Sequence, residues 1–101
     1  MNTLYYVYIL RCEGGSLYTG ITTDVKRRFC EHIGGGIKGA KYTKIHKPLC
    51  IEAAFEVADK SDALKLEARI KKLTKKEKEI LITDKSDISV LCDIEIKPFS
   101  V

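Results

Sequence analysis

YVYILRCEGGSLYTGITTDVKRRFCEH, residues Tyr6 to His32, decides the reading of the chain. Leu4 to Leu10 is rich in β-branched and aromatic side chains, which predicts a strand. Side chains alternate across a strand, so Tyr6 and Tyr8 share one face and Val7 and Ile9 the other. Glu13-Gly14-Gly15-Ser16 supplies glycines for positive φ, which predicts an antiparallel hairpin with a second strand over Leu17 to Thr22. Tyr18 then lies on the strand beside Tyr8. Asp24 can accept from the amides of the turn that follows it, and Val25, Phe29 and Ile33 recur at helical spacing, so a helix begins there. Arg28 and His32 are four apart on that helix and share a face. Two phenols, a guanidinium and an imidazole therefore converge from three successive elements, with the choice between Tyr6 and Tyr8 resting on the hairpin register.

Beyond the helix, Gly34 to Thr43 holds too much glycine for a stable element and reads as a mobile loop, where Lys41 and Tyr42 offer charge and a stacking face. His46 reads as a loop side chain. Pro48 stops any helix, and Leu49 to Val57 reads as a third strand with Ile51, Ala53, Phe55 and Val57 on one face. Asp59 to Asp62 has capping chemistry, and Ala63 to Leu73 is helical, with Ala63, Leu66, Ile70 and Leu73 as the apolar stripe and Leu64 and Ala68 widening it. Glu67 falls inside that arc. A carboxylate there must be paired, hydrogen-bonded or metal-bound, and Arg28 or Lys71 would serve as a salt-bridge partner. Thr74 with Glu77 three residues on opens a further short helix. The alternation of Ile88, Val90, Cys92, Ile94 and Ile96 suggests an edge strand or a surface for pairing with another copy. The fold class is α+β: a three-stranded antiparallel sheet flanked by helices, with a candidate further strand at the C-terminal end.

A chain of 101 residues makes one domain, divided here into a body over residues 1–83 and an extension over 84–101. At 45% hydrophobic and 32% charged residues it reads as globular, without a run long enough to span a membrane. Met1-Asn2-Thr3 leads straight into the first strand without a signal-peptide pattern, so the cytoplasm is the expected location. The four cysteines lack a Cys-x-x-Cys pair and read as free thiols, so zinc binding through Cys30 and His32 with a distant cysteine is not expected. The body carries 16 Lys and Arg against 10 Asp and Glu, whereas the extension carries 2 against 4. Between Lys26 and Lys47 only Glu31 opposes Lys26, Arg27, Arg28, Lys38, Lys41, Lys44 and Lys47, which suits a track for a polyanion.

The arrangement resembles the GIY-YIG nuclease family. Its two namesake triplets correspond to Tyr6-Val7-Tyr8 and Tyr18-Thr19-Gly20, and its Arg-x-x-x-His signature to Arg28 through His32. The first triplet lacks the initial glycine, and the second has threonine for isoleucine. The likeness is to the small stand-alone bacterial members and covers roughly residues 4 to 83, including the segment Lys38 to Thr43. It implies a catalytic set of Tyr8, Tyr18, Arg28, His32 and Glu67. Tyr8 would activate water, His32 would take or relay its proton, Arg28 would clamp phosphate, Tyr18 would orient water or phosphate, and Glu67 would bind Mg2+ or Mn2+. Gly20, Lys26, Arg27, Lys38, Lys41, Tyr42 and Lys44 are the candidate nucleic-acid contacts. Larger members often add an asparagine beyond the glutamate; this chain has none after Asn2.

The expected activity is metal-dependent DNA endonuclease action with low sequence specificity, on branched, nicked or single-stranded forms and linked to repair or recombination. A non-catalytic nucleic-acid-binding module on the same scaffold is the alternative, and a protein-interaction module using the alternating tail is a third reading. Monomer and homodimer are both open at this stage.

Overall fold

The computed structural model of the chain describes residues 4–34, 41–85, 88 and 96–99. Strand β1 (Tyr5–Cys12) passes through a short 3-10 turn (Glu13–Gly15) into β2 (Leu17–Thr22). Gly14 and Gly15 have φ of 81° and 85°, the left-handed values that glycine adopts without strain. The Cys12 N–H closes the turn by donating to the Ser16 carbonyl at 2.9 Å. Helix α1 (Val25–Gly34) starts behind Asp24, whose carboxylate accepts from the Arg27 N–H at 3.1 Å. There follow α2 (Lys41–Ile45), β3 (Pro48–Val57), α3 (Lys60–Lys71), α4 (Lys75–Thr83) and β4 (Lys97–Pro98).

The described residues form an antiparallel sheet in the order β2-β1-β3-β4. One face carries Val7, Ile9, Ala53, Phe55 and Val57 and is covered by Ala63, Leu66 and Ile70 of α3, Leu81 of α4, and Ile88. Each valine, leucine, isoleucine or phenylalanine among them contributes about 1.5 to 3 kcal/mol on removal from water, before the entropy of ordering it is counted. The other face carries Tyr8, Leu10, Cys12 and Ala54, packed against Val25 and Phe29 of α1 and against Tyr42. Asp59 caps α3 by accepting from the Asp62 N–H, and Thr74 and Glu77 form a reciprocal capping box at the start of α4.

Several expectations need correction. Ile51 does not share a face with Ala53. Ile9 pairs with Ala53 but Leu10 pairs with Ile51, so Glu52 is the extra residue of a bulge that turns Ile51 to the Tyr8 side. The bulged Glu52 instead meets Arg11, which lies between strand and helix. The Arg11 guanidinium donates to Glu52 at 2.8 Å, to Glu79 of α4 at 2.6 Å and to the Gly15 carbonyl at 3.1 Å. Leu64 and Ala68 do not widen the buried stripe of α3; both are exposed, because the helix rests on the sheet through Ala63, Leu66 and Ile70. Ile33, expected on the inner stripe of α1, is 46% exposed. Within the segment read as a mobile loop, Lys41 to Thr43 belong to α2, while residues 35–40 lie outside the described part.

The fourth strand pairs Lys97 with Glu56 and Pro98 with Phe55. It falls just after the alternating stretch, of which Val90, Cys92 and Ile94 lie outside the described residues. The described residues beyond α4 join the core: Ile88 is buried, Ile96 packs against the α3 side and Phe99 against the tyrosine side. Cys12 is a buried free thiol, and Cys30 and Cys50 are exposed free thiols. No helix among the described residues is long and apolar enough to cross a membrane.

Candidate active site

The hairpin register places Tyr8 opposite Gly20 and Leu10 opposite Tyr18, so the two phenols are diagonal neighbours on one face. Gly20 is what lets them meet. A Cβ at that position would stand 2.5 Å from the Tyr8 hydroxyl oxygen, 2.7 Å from its Cζ and 3.2 Å from Tyr18 Cε2. The room left by the missing side chain is thus taken up by the tyrosines themselves, and Gly20 is buried beneath them. Tyr6, the other candidate, lies two residues away on the same face, nearer the start of the strand, with its ring 4.7 Å from that of Phe99.

Helix α1 lays Val25, Phe29 and His32 against this face, the i, i+4, i+7 stripe that helical geometry allows. His32 is buried, and its Nε2 is 2.8 Å from the Tyr8 hydroxyl. Its Nδ1 is 2.7 Å from Oγ1 of Thr43, a buried residue of α2. The Tyr18 ring meets His32 edge-on at 5.3 Å and stacks on Tyr42 at 5.6 Å, and Tyr42 stacks in turn on His46 at 4.4 Å. His46 lies in the bend just after α2, the loop side chain that was expected, and closes this aromatic ladder.

Arg28 is one turn before His32. It is ion-paired with Glu31 at 3.0 Å and close enough to the Tyr8 phenol for its charge to favour the phenolate. Glu67 reaches the group from a different side. Helix α3 covers the opposite face but runs over β1 and the edge strand β2, and the Glu67 carboxylate is near enough to act on Tyr8 and Tyr18 together. Its side chain is 19% exposed and 3.4 Å from Lys71, the partner anticipated for it.

Proton affinities follow from this packing. Burial raises the Tyr8 pKa well above that of a free phenol, neighbouring Tyr18 adds to the rise, and Arg28 opposes it. Tyr18 is raised for the same first reason. Burial, aided by the Arg28 charge, lowers His32 to about 4, so its imidazole is neutral at pH 7. At pH 7 the pair is thus a neutral imidazole beside a protonated phenol, and moving the proton from Tyr8 to His32 is uphill in the free protein because burial disfavours both ions.

Among the described residues no group of three or more His, Cys, Asp and Glu could hold an ion unaided. Magnesium does not require one. It keeps several waters and is commonly bound by one or two carboxylates together with substrate phosphate. Glu67 offers a hard oxygen donor with part of its surface open to solvent, and the donor set fits such an ion.

Of the candidate nucleic-acid contacts, Lys41 and Lys44 are exposed on α2 beside the half-buried Tyr42. Lys26 and Arg27 are exposed at the first turn of α1, away from the His32 end, and Lys38 lies outside the described residues. Thr43 was not singled out from the sequence. Its signal is that it closes the segment Lys38 to Thr43 on which the family resemblance partly rests, but a threonine behind a glycine-rich stretch gives no sign that it will be buried against a histidine.

A family profile described as the GIY-YIG catalytic domain matches residues 4–80. A UPF0213 protein of Fusobacterium nucleatum is 50% identical over 91 residues, which is 90% of this chain and 87% of that protein. The UPF0213 protein YhbQ of Salmonella typhimurium is 45% identical over 89 residues, covering 88% of this chain and 87% of the relative. Among solved structures, the solution NMR structure of a UPF0213 protein from Bacillus halodurans aligns with a TM-score of 0.51 at 37% identity, covering 91% of this chain and 99% of the other.

Proposed function

The chain belongs to the family of GIY-YIG catalytic domains, and from that premise we propose that it is a metal-dependent endonuclease hydrolysing DNA phosphodiester bonds with low sequence specificity. Its substrates are branched, nicked or single-stranded forms that arise in repair or recombination, and its place of action is the cytoplasm. The observation that carries this reading is the 2.8 Å contact between the Tyr8 hydroxyl and Nε2 of a neutral His32, with Arg28 on the same phenol. In the reaction, attacking water gives its proton to the Tyr8 oxygen as the phenolic proton passes to His32 Nε2, and the new P–O bond forms as the ester P–O bond breaks. Arg28 stabilises the negative charge that builds on the phenol and on a non-bridging phosphate oxygen. Tyr18, less deeply buried than Tyr8, orients the water or the phosphate. Glu67 is the metal-holding residue, and magnesium or manganese bound there would neutralise phosphate charge and relieve the leaving alkoxide. Lys41, Lys44, Lys26 and Arg27 supply affinity for the backbone without reading bases.

A second reading has a specific observation behind it. Arg28 is already paired with Glu31 and Glu67 with Lys71, as in a scaffold that only binds nucleic acid. Purified protein assayed on nicked, branched, single-stranded and duplex DNA separates the two. The endonuclease cleaves with magnesium or manganese and stops on chelation. Tyr8→Phe, Arg28→Ala and Glu67→Gln each lower kcat by about 10²-fold or more with far-ultraviolet circular dichroism unchanged. Salt-sensitive binding without cleavage under any divalent ion refutes the nuclease, and full activity in Glu67→Gln refutes the metal assignment.

A further inference from the structure

His32 has a hydroxyl on each side of its ring. Tyr8 lies 2.8 Å from Nε2 and Thr43 lies 2.7 Å from Nδ1, both contacts buried. A neutral imidazole has one N–H and one lone pair, so only two arrangements satisfy both contacts. Either Tyr8 donates to Nε2 while Nδ1–H donates to Thr43, or Thr43 donates to Nδ1 while Nε2–H donates to Tyr8. Proton transfer from Tyr8 is open only to the first, because in the second Nε2 already carries a proton.

Two features favour the first arrangement. A phenol is a far stronger acid than an aliphatic hydroxyl and is the better donor of the two. Arg28 also acts on the Tyr8 phenol, where its positive charge favours release of the phenolic proton, and Nε2 stands at hydrogen-bond distance to receive it. We propose that Thr43 is a positioning residue for the reaction given above, accepting from Nδ1–H of His32 and so keeping Nε2 open to the Tyr8 proton. The proposal rests on the nuclease reading for its consequence in catalysis but not for the tautomer itself. It also gives α2 a purpose: one short helix sets Tyr42 against Tyr18 and Thr43 against His32, completing from one segment a site otherwise built by the sheet, α1 and α3.

The test reads the tautomer directly by two-bond 15N–1H correlation on the full chain with labelled histidine at pH 7, with His32 distinguished from His46 by a His46→Gln variant. Wild type shows Nδ1 protonated and Nε2 bare. Thr43→Val keeps the side-chain shape without the acceptor and moves the proton to Nε2, and Thr43→Ser restores it to Nδ1. On DNA with magnesium, the valine variant loses about tenfold to a hundredfold in kcat at unchanged KM, and the serine variant recovers most of it. A wild type protonated on Nε2, or a valine variant still protonated on Nδ1, overturns the proposal whatever the rates. A moved proton with unchanged kcat overturns the role in catalysis. If wild type does not cleave DNA at all, the nuclease reading fails while the spectra still decide the tautomer. Should the valine variant not fold, Thr43→Ala carries the same comparison.

Discussion

Gly20→Ala is the substitution whose cost is most directly worked from the geometry. The added methyl would stand 2.5 Å from the Tyr8 oxygen and 2.7 Å from its Cζ, against ordinary contact beginning near 3.4 Å, so the phenol must move by about 0.9 Å. The oxygen is the tip of a side chain, but not a yielding one, since Tyr8 is 1% exposed and hydrogen-bonded to His32. Overpacking of this kind costs about 1 to 3 kcal/mol. Losing or stretching the hydrogen bond adds roughly 1 kcal/mol. For a chain of this length a loss of about 3 kcal/mol lowers Tm by about 12 to 24 °C. Urea unfolding followed by circular dichroism measures it as a drop in midpoint at constant m-value. The double variant Gly20→Ala with Tyr8→Phe tests the cause. Without the hydroxyl the nearest clash disappears, so the two substitutions together should cost less than their sum by about 1 kcal/mol, with part of the penalty persisting through Cζ. An alanine variant within about 0.5 kcal/mol of wild type, or strict additivity in the double, refutes the reasoning that the glycine exists to seat the phenol.

Thr19 stands where the family's second triplet carries isoleucine, and its hydroxyl is buried without a hydrogen-bond partner among the described residues. Thr19→Val keeps the shape and removes the unsatisfied oxygen, so stability should rise by about 1 kcal/mol in the same unfolding assay, and a loss would show that the hydroxyl is satisfied in solution. His32 supplies a pH dependence. Its pKa in the fold, lowered to about 4 by burial and by Arg28, lies below the value of about 6.5 that it takes when unfolded. The unfolded chain therefore binds the proton first, and this contribution to stability is complete above pH 6.5, declines as pH falls toward 4 and declines no further below it. A titration of the His32 ring by NMR should give a midpoint near 4, and a midpoint between 6 and 7 would mean that the ring is hydrated rather than enclosed.

Much of this was legible in the sequence because it is set by neighbours along the chain. The alternation from Tyr6 to Ile9, the glycines at 14 and 15, the Asp24 and Asp59 caps and the Thr74-Glu77 box are local devices, and each forms as its residues predict. What escaped was non-local. The bulge at Glu52 inverts Ile51, and it is sustained by Arg11 and Glu79 from distant segments, which no count along β3 could reveal. Helix α2 is only five residues long, and its buried Thr43 is bonded to a histidine from another helix, while local sequence shows only a glycine-rich approach. The candidate site divides in the same way. Tyr8, Tyr18, Arg28 and His32 follow from hairpin and helix geometry, whereas the reach of Glu67 toward the phenols depends on where α3 crosses the sheet.

Tyr8 has two employments on one ring: its six carbons wall the interior, and its single oxygen meets His32. On the proposed nuclease reading, descendants of such a protein are held to the aromatic chiefly by the need to fold and to the oxygen chiefly by the need to react. A lineage that gave up its chemistry would keep Gly20 and exchange tyrosine for phenylalanine, leaving the architecture intact around a silent centre. On that reading the eighth residue would record whether selection for turnover had lapsed.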